Sequence, residues 1–376
     1  MLIETRASKA KWQDRFKIKL SFDMATISKH LFPDSSHQYI DTFLNFAKLE
    51  FGRVRIFLFK GVYFMQHQSI SDQLSPIKPD KNWRIWWNLL RPHTLTAAFI
   101  PVTLGTVLAL PSGQIHVGLF LAMLFASMFI QIATNMFNEY FDYVRGLDNE
   151  KSVGIGGAIV RNGVKPKTVL SLAYALFALS LLLGVYICMM SSWWIALIGL
   201  ICMAAGYFYT GGPVPIAYTP FGELVSGAFM GLGIILISFY IQTGTLTSKA
   251  VLISLPISIL VGAILLSNNI RDLDGDKENG RKTLAILAGR KAAVNILLSM
   301  FLVSYVLIFV YIFTDIVGLW SLLVLLSVPK AYTAIKEFKQ KEKPIELMNA
   351  MKSTAQTNTF FGFLLTIALI LQYYIA

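Results

Sequence analysis

The sequence predicts an all-α membrane protein of about nine transmembrane helices, and three observations carry that expectation. The 376 residues are 55% hydrophobic and only 14% charged, with a mean hydropathy of +0.59, well above an ordinary soluble domain. From residue 94 onward, apolar segments long enough to cross the hydrocarbon core, roughly 17 to 25 residues each, follow one another to the C-terminus. Between them, short connections with little charge alternate with longer basic ones, the asymmetry that orients membrane proteins.

The N-terminal part differs from the rest. Residues 1–64 mix charges with short apolar pieces such as VRIFLFKGVYF, too short and too charged for a span or a signal peptide. Met65 then opens a polar leader, MQHQSISDQLSPIKPDKNWRIWWNLLRPHT. Met65 is therefore expected to be the natural start, with residues 1–64 either an extension that is not part of the native protein or an interfacial appendage. Residues 65–93 read as a cytoplasmic leader and interfacial segment, and residues 94–376 as the membrane domain. N-terminal sequencing of the native protein decides the start.

The spans fall at about 94–111, 116–141, 167–190, 192–209, 222–243, 250–271, 291–314, 317–334 and 354–375. The connections after the first, third, fifth and seventh (around PSGQIH, MMSS, TGTLTSK and TDIVG) hold a single lysine, Lys249. Those after the even spans carry Arg145, Lys151, Arg161 and Lys165, then Lys277, Arg281, Lys282 and Arg290, then Lys336, Lys339, Lys341, Lys343 and Lys352. By this bias the even loops and the N-terminus are cytoplasmic. The net charge of +12 belongs to these loops, so it points to a bilayer and an anionic substrate, with no nucleic acid. Cys188 and Cys202 lie inside apolar runs, where a thiol acts as a small hydrophobe, so neither a disulfide nor a zinc site is expected.

Polar residues inside this framework are costly in lipid and must face the bundle interior or a wet cavity. Gln131, Asn135, Asn138 and Asp142 are separated by four, three and four positions and so share one face of the second span. Asp148 and Glu150 follow in the loop. In SNNIRDLDGDK, at the end of the sixth span, Asn268, Asp272 and Asp276 stand at i, i+4 and i+8. Both faces end on the same side of the membrane. Carboxylates and amide oxygens are hard ligands, and magnesium typically uses one or two protein carboxylates while leaving positions for water and phosphate. The pair is suited to clamping a metal-bound diphosphate. Arg91, Arg145, Arg161, Lys165, Arg271, Arg281 and Lys282 are cations within reach of phosphate oxygens. GIGG at residues 154–157 allows close backbone approach but is not a Walker loop.

Other polar positions have simpler explanations. Glu139, Glu150, Asp274, Glu278 and the lysines of 336–343 read as solvated boundary residues, and His93 as a helix-entry residue. The Trp pairs at 86–87 and 193–194 suit interfacial belts. Tyr140, Tyr143, Tyr207 and Tyr209, near the acidic faces, are candidates to line a pocket and steady an allylic cation through their rings.

NEYFDYVRGLDNEKSVGIGGAIVRNG, NNIRDLDGDKENGRKTLAILAGR, RPHTLTAAFIPVTLGT, YTGGPVPIAYTPFGE and AMKSTAQTNTFFGFLL together resemble the UbiA-type intramembrane prenyltransferases. Within them they are most similar to the 1,4-dihydroxy-2-naphthoate polyprenyltransferase branch of menaquinone biosynthesis. The similarity runs from about residue 85 to the end. It implies nine helices around a central cavity open toward lipid, in a bacterial plasma membrane, with the site toward the cytoplasm.

The resemblance also implies partners and roles: polyprenyl diphosphate, 1,4-dihydroxy-2-naphthoate, the bilayer and Mg2+. It places metal ligands at Asn138, Asp142, Asp272 and Asp276, with Lys165 added to the catalytic set. Substrate contacts fall on Asn135, Asp148, Arg161, Tyr209, Asn268, Arg271 and Lys282. Two departures from the wider family's NDxxDxxxD pattern stand out: Glu139 takes the second position, and the last acid is displaced to Asp148 because Gly146 occupies its place. The loop after the fourth span lacks the Lys-Arg pair of the 4-hydroxybenzoate enzymes, which favours the naphthoate branch.

The implied reaction joins the prenyl group to the ring, with loss of the ring carboxylate and release of pyrophosphate, giving demethylmenaquinone. No protein nucleophile is needed, consistent with the lack of a Ser-His-Asp or Cys-His arrangement. A transporter of a divalent cation or anionic metabolite is the alternative, but such sites lie near the midplane on broken helices, and here the acids gather at one end. The D-x-x-D-G-x-x-A-R signature of phosphatidyl-group transferases is absent. The expectation that carries the others is geometric: the acidic ends of the second and sixth spans must converge.

Overall fold

The computed structural model describes residues 82–147 and 157–375. The chain divides into one unit of residues 1–76 and another of residues 77–376, and all described residues belong to the second. The expectations about residues 1–64 and Met65, Asp148 and Glu150, most of GIGG and the side chain of His93 lie outside the described residues.

Every regular element among the described residues is helical. Helix α1 (Asn82–Leu90) precedes α2 (Pro92–Leu108), α3 (Val117–Val144), α4 (Pro166–Met190) and α5 (Trp194–Thr210). Helix α6 (Gly222–Thr243) contains a π turn at Gly227–Gly233. Then come α7 (Ser248–Arg271), the short α8 (Leu273–Glu278) and α9 (Leu284–Ala288), and α10 (Arg290–Phe313). Helix α11 (Leu319–Gln340) begins as a 3-10 turn, and α12 (Met348–Ile375) ends the chain.

Among the described residues, eight helical segments are long and apolar enough to cross a membrane, and α5, with 17 residues, is a shorter apolar ninth. At 1.5 Å per residue α5 spans about 25 Å, close to a hydrocarbon core of roughly 30 Å. The protein is a multi-pass membrane protein. The last two helices extend beyond the expected spans because their polar turns, including the exposed Lys336 and Lys339, are also helical.

Local chemistry sets the helix boundaries. Pro92 and Pro166 occupy first-turn positions of α2 and α4, where the missing N–H has no intrahelical partner to lose. The Thr247 hydroxyl accepts from Ala250 N at 3.2 Å and starts α7. Pro256 inside α7 frees the carbonyl four residues before it, Leu252 O, and the Tyr311 hydroxyl donates to that oxygen at 2.9 Å. A buried carbonyl without a partner would destabilise the apolar interior.

Helix α7 is the most enclosed span, surrounded by α10, α12 and the π turn of α6. Its Ile257, Leu260, Leu266 and Ile270 pack with Leu297 of α10 and Phe361 of α12 in the largest apolar core. A second core joins Ala133, Met136 and Phe137 of α3 to Val169 and Ala173 of α4. Gly227 and Gly231 permit the α6–α7 approach: a Cβ at Gly231 would lie 2.4 Å from Ser258 Cα, and one at Gly227 would lie 2.6 Å from Ser258 O. The expected interfacial tryptophans Trp86, Trp87, Trp193 and Trp194 are exposed. Cys188 is buried and Cys202 half-buried, both as free thiols.

Candidate functional site

The polar face of α3 begins as a structural support. Asn135 donates through Nδ2 to Leu90 O at 3.2 Å and to Thr94 Oγ1 at 3.1 Å, which ties α3 to the α1–α2 junction. One turn on, Asn138 Nδ2 donates to Asp142 Oδ2 at 3.0 Å. This leaves the Asn138 amide oxygen available and orients the carboxylate.

The second polar face continues through the break between α7 and α8. Asp272 N donates to Asn268 O at 3.0 Å, and Asp276 N donates to Asp272 O at 2.8 Å, so the four-residue ladder survives. Asn268, Asp272 and Asp276 therefore remain in register.

The two faces meet at Arg281. Its Nη2 donates to Asp142 Oδ1 at 2.9 Å, and its Nη1 lies 3.1 Å from Asp276 Oδ1. The side chains of Asp142, Asp276 and Arg281 are only 12–13% exposed. The Arg281 guanidinium also lies over the Tyr218 ring, 4.9 Å from its centroid. Burial opposes the Arg281 charge, but Asp142 and Asp276 outweigh it and raise the arginine above its ordinary value.

Asp272 takes a different partner. Arg271 Nε and Nη2 donate to its two oxygens at 2.7 and 2.5 Å, while Arg271 Nη1 reaches the Met351 sulfur at 2.8 Å. Among the described residues no three His, Cys, Asp or Glu side chains gather into a ready metal cage. The donor set still fits magnesium, which needs only one or two protein carboxylates and a few neutral oxygens: Asp142, Asp276, Asp272 and the Asn138 and Asn268 amides are hard oxygen donors at one end of the cavity.

That cavity has a volume of about 460 Å³. Its polar end includes Asn135, Asn138, Asp142, Arg161, Tyr209, Asn268, Arg271, Asp272, Asp276 and Arg281. Its apolar end reaches Met123, Ile187, Cys188 and Ile195. From Met123 to Asp142 along α3 is about 28 Å at 1.5 Å per residue, so the cavity runs across most of a bilayer.

Several expected site residues are not part of this wall. Lys165 caps the start of α4 and is exposed, and Lys282 is exposed as well. The reason for Lys282 is its backbone: Lys282 N donates to Tyr218 O at 2.9 Å while Arg281 N donates to Asp276 O at 3.0 Å. In this non-helical turn the arginine faces in and the lysine out. Of the four tyrosines, only Tyr209 lines the cavity. Tyr207 packs edge-on against Phe137 and Phe141, Tyr140 against Phe141, and Tyr143 is exposed.

Glu139 corrects another expectation. It is 1% exposed and not a solvated boundary residue, because Oε1 accepts from Ile159 N at 3.3 Å and Oε2 lies 3.9 Å from Arg91 Nη2. It fastens the segment that carries Arg161 to α3. Glu223 was also missed; it is 5% exposed and accepts from Asn269 Nδ2 at 2.9 Å. A carboxylate opening an apolar run, as Glu223 does, was the available signal.

Asp276 stands at about 6, well above an ordinary aspartate. Burial raises it most, Arg281 lowers it, and Asp272 and Asp142 raise it further. A folded-state value above the unfolded one means ionisation opposes folding. That cost is absent below about pH 4 and fully present above about pH 6. The metal-free protein is expected to lose roughly 2–3 kcal/mol of stability as pH rises through that window. Thermal denaturation in detergent with chelator measures it, and Asp276→Asn should flatten the slope; an unchanged slope refutes the assignment.

Comparison with known proteins agrees with this architecture. A model of the UbiA prenyltransferase family matches residues 98–354. The 1,4-dihydroxy-2-naphthoate octaprenyltransferase of Bacillus subtilis (strain 168) is 60% identical over 291 residues, 77% of this chain and 94% of that protein. The apo structure of a UbiA homolog from Aeropyrum pernix K1 has the same fold at 15% identity, with a TM-score of 0.56, covering 77% of this chain and 98% of that one. A UbiA homolog from Archaeoglobus fulgidus, solved bound to DMAPP and Mg2+, aligns with a TM-score of 0.52 at 15% identity, covering 75% of this chain and 99% of that one. With buried acids from two helices converging at one end of a membrane-spanning cavity, the chain belongs to the UbiA prenyltransferase family.

Proposed function

We propose that this protein transfers a polyprenyl group from polyprenyl diphosphate to 1,4-dihydroxy-2-naphthoate, with decarboxylation and release of pyrophosphate, giving the hydroquinone form of demethylmenaquinone. The observation that carries the reading is the meeting of Asp142 and Asp276 at the polar mouth of an apolar cavity. High identity to a naphthoate octaprenyltransferase supports the choice of acceptor.

Asp142, Asp272 and Asp276, with the amide oxygens of Asn138 and Asn268, would hold Mg2+. When bound, the ion supplies Lewis-acid stabilisation of the charge that builds on the departing diphosphate. Asn138 fixes the orientation of Asp142. Arg161, in the same wall, adds a fixed positive charge at the polar end. The apolar wall receives the prenyl tail, each buried CH₂ contributing about 0.8 kcal/mol, and excludes water from the allylic centre. The Tyr209 ring offers a π face to that centre. The electron-rich naphthalene carbon then forms the new C–C bond as the C–O bond to diphosphate breaks, and the ring carboxylate leaves as carbon dioxide. The basic even loops support a cytoplasmic site.

The transporter alternative is not supported. Membranes containing the protein, supplied with magnesium, a long prenyl diphosphate and dihydroxynaphthoate, are expected to release pyrophosphate and form a prenylated quinone detectable by mass spectrometry. Chelation with EDTA should remove the activity and excess magnesium restore it. Product formed at full rate in EDTA overturns the metal assignment, and no product under any condition overturns the reading.

A further inference from the structure

We infer that Arg281 is the exchangeable counter-ion of this site: it holds Asp142 and Asp276 together before the metal arrives, is displaced by it, and then turns to the diphosphate. The inference rests on the proposed function and adds a role to a residue that the acidic motifs do not contain. One guanidinium grips one oxygen of each carboxylate, at 2.9 and 3.1 Å, from between the two helices. A divalent ion shared by Asp142 and Asp276 would need the same oxygens. Two adjacent buried carboxylates with no cation between them repel and lose hydration, so Arg281 provides the neutralisation that a metal would otherwise supply.

The surroundings allow the side chain to move while its base stays fixed. Arg281 N is bound to Asp276 O, and the next residue, Lys282 N, is bound to Tyr218 O. The guanidinium lies on the Tyr218 ring, which carries Arg145 as well, 5.3 Å from the centroid. Arg145 is held separately, by Nη2 donating to Gly212 O at 3.0 Å and by a bond from Nη1 to Thr210 O. Arg281 can therefore slide along an aromatic face that keeps it at the cavity mouth, and planar guanidinium is well matched to phosphate oxygens. Asp272 does not share this arrangement, because Arg271 already neutralises it.

The test compares wild type with Arg281→Gln and Arg281→Lys, reading thermal stability during titration with magnesium alone. Arg281→Gln is expected to be less stable than wild type in EDTA, to respond to magnesium at about tenfold lower concentration, and to recover its stability deficit at saturating magnesium. Arg281→Lys, whose single ammonium cannot grip both carboxylates in the same way, should respond at an intermediate concentration and serves if the glutamine variant does not fold. With substrate, both variants should show a lower kcat/KM for prenyl diphosphate. A magnesium midpoint unchanged or higher than wild type, or a deficit that persists at saturating magnesium, overturns the exchange role, since a purely structural arginine would behave that way. A wild type that forms product but shows no magnesium response overturns the exchange and the metal assignment while leaving prenyl transfer standing. A wild type that forms no product overturns the proposed function itself.

Discussion

Asp142→Asn is expected to lower prenyl transfer by about 10³-fold or more while the protein stays folded. The substitution keeps the shape of the side chain and one carbonyl oxygen, but removes one of the two carboxylates that face each other across Arg281. Of the acids at the mouth, Asp272 is already paired with Arg271, so it does not readily take over. Asn138 loses its acceptor at Asp142 Oδ2 unless the new amide rotates its oxygen toward it. Initial-rate assays with saturating magnesium, beside a thermal melt in EDTA, separate loss of chemistry from loss of fold. An Asp142→Asn variant with activity within about tenfold of wild type would remove the acid pair from the mechanism.

Gly231→Leu is expected to give little folded protein. A Cβ at this position lies 2.4 Å from Ser258 Cα and 2.9 Å from Ser258 N, so the obstacle is backbone and cannot rotate away. Alanine already carries the offending atom, and leucine adds a branched chain to it. Separating α6 from α7 costs packing that overfilled cores commonly lose at about 1–3 kcal/mol, more when backbone must shift. The cost reaches the chemistry, because α7 carries Asn268 and leads into Asp272 and Asp276. Gly231→Ala should lower the melting temperature of the detergent-solubilised protein and Gly231→Leu should abolish a monodisperse peak on size exclusion. A leucine variant with wild-type melting would show that the α6–α7 approach is looser than described.

Asn138, Asp142, Asp272 and Asp276 were legible because helical spacing alone aligns them, and a membrane helix admits few reasons for such a stripe. The convergence of Asp142 and Asp276 on Arg281 was not, since Asp142 and Arg281, 139 positions apart, are brought together by packing. Glu139 was misread for a related reason. Its position at a helix end looks solvated, yet Ile159 N and Arg91 approach from distant segments and bury it. Lys165 and Lys282 illustrate the opposite error, in which a charge close in sequence to the site turns outward. Tyr140 and Tyr143 are near Asp142 along the chain and Tyr207 precedes the YTGGP loop, but the helix surfaces they occupy face other aromatics or the exterior.

The amino-acid sequence by itself determined the order of the apolar segments and which two helix ends are acidic. Apolar length and helical period are properties of a single segment, and water and lipid read them locally. The tertiary structure alone decided that Arg281 stands between Asp142 and Asp276 and that Glu139 is buried. Those outcomes depend on which helices lie side by side, set by close contacts such as Gly231 against Ser258 and by turns such as the one that points Arg281 inward. Partner choice among charges is a property of that packing and not of any one segment.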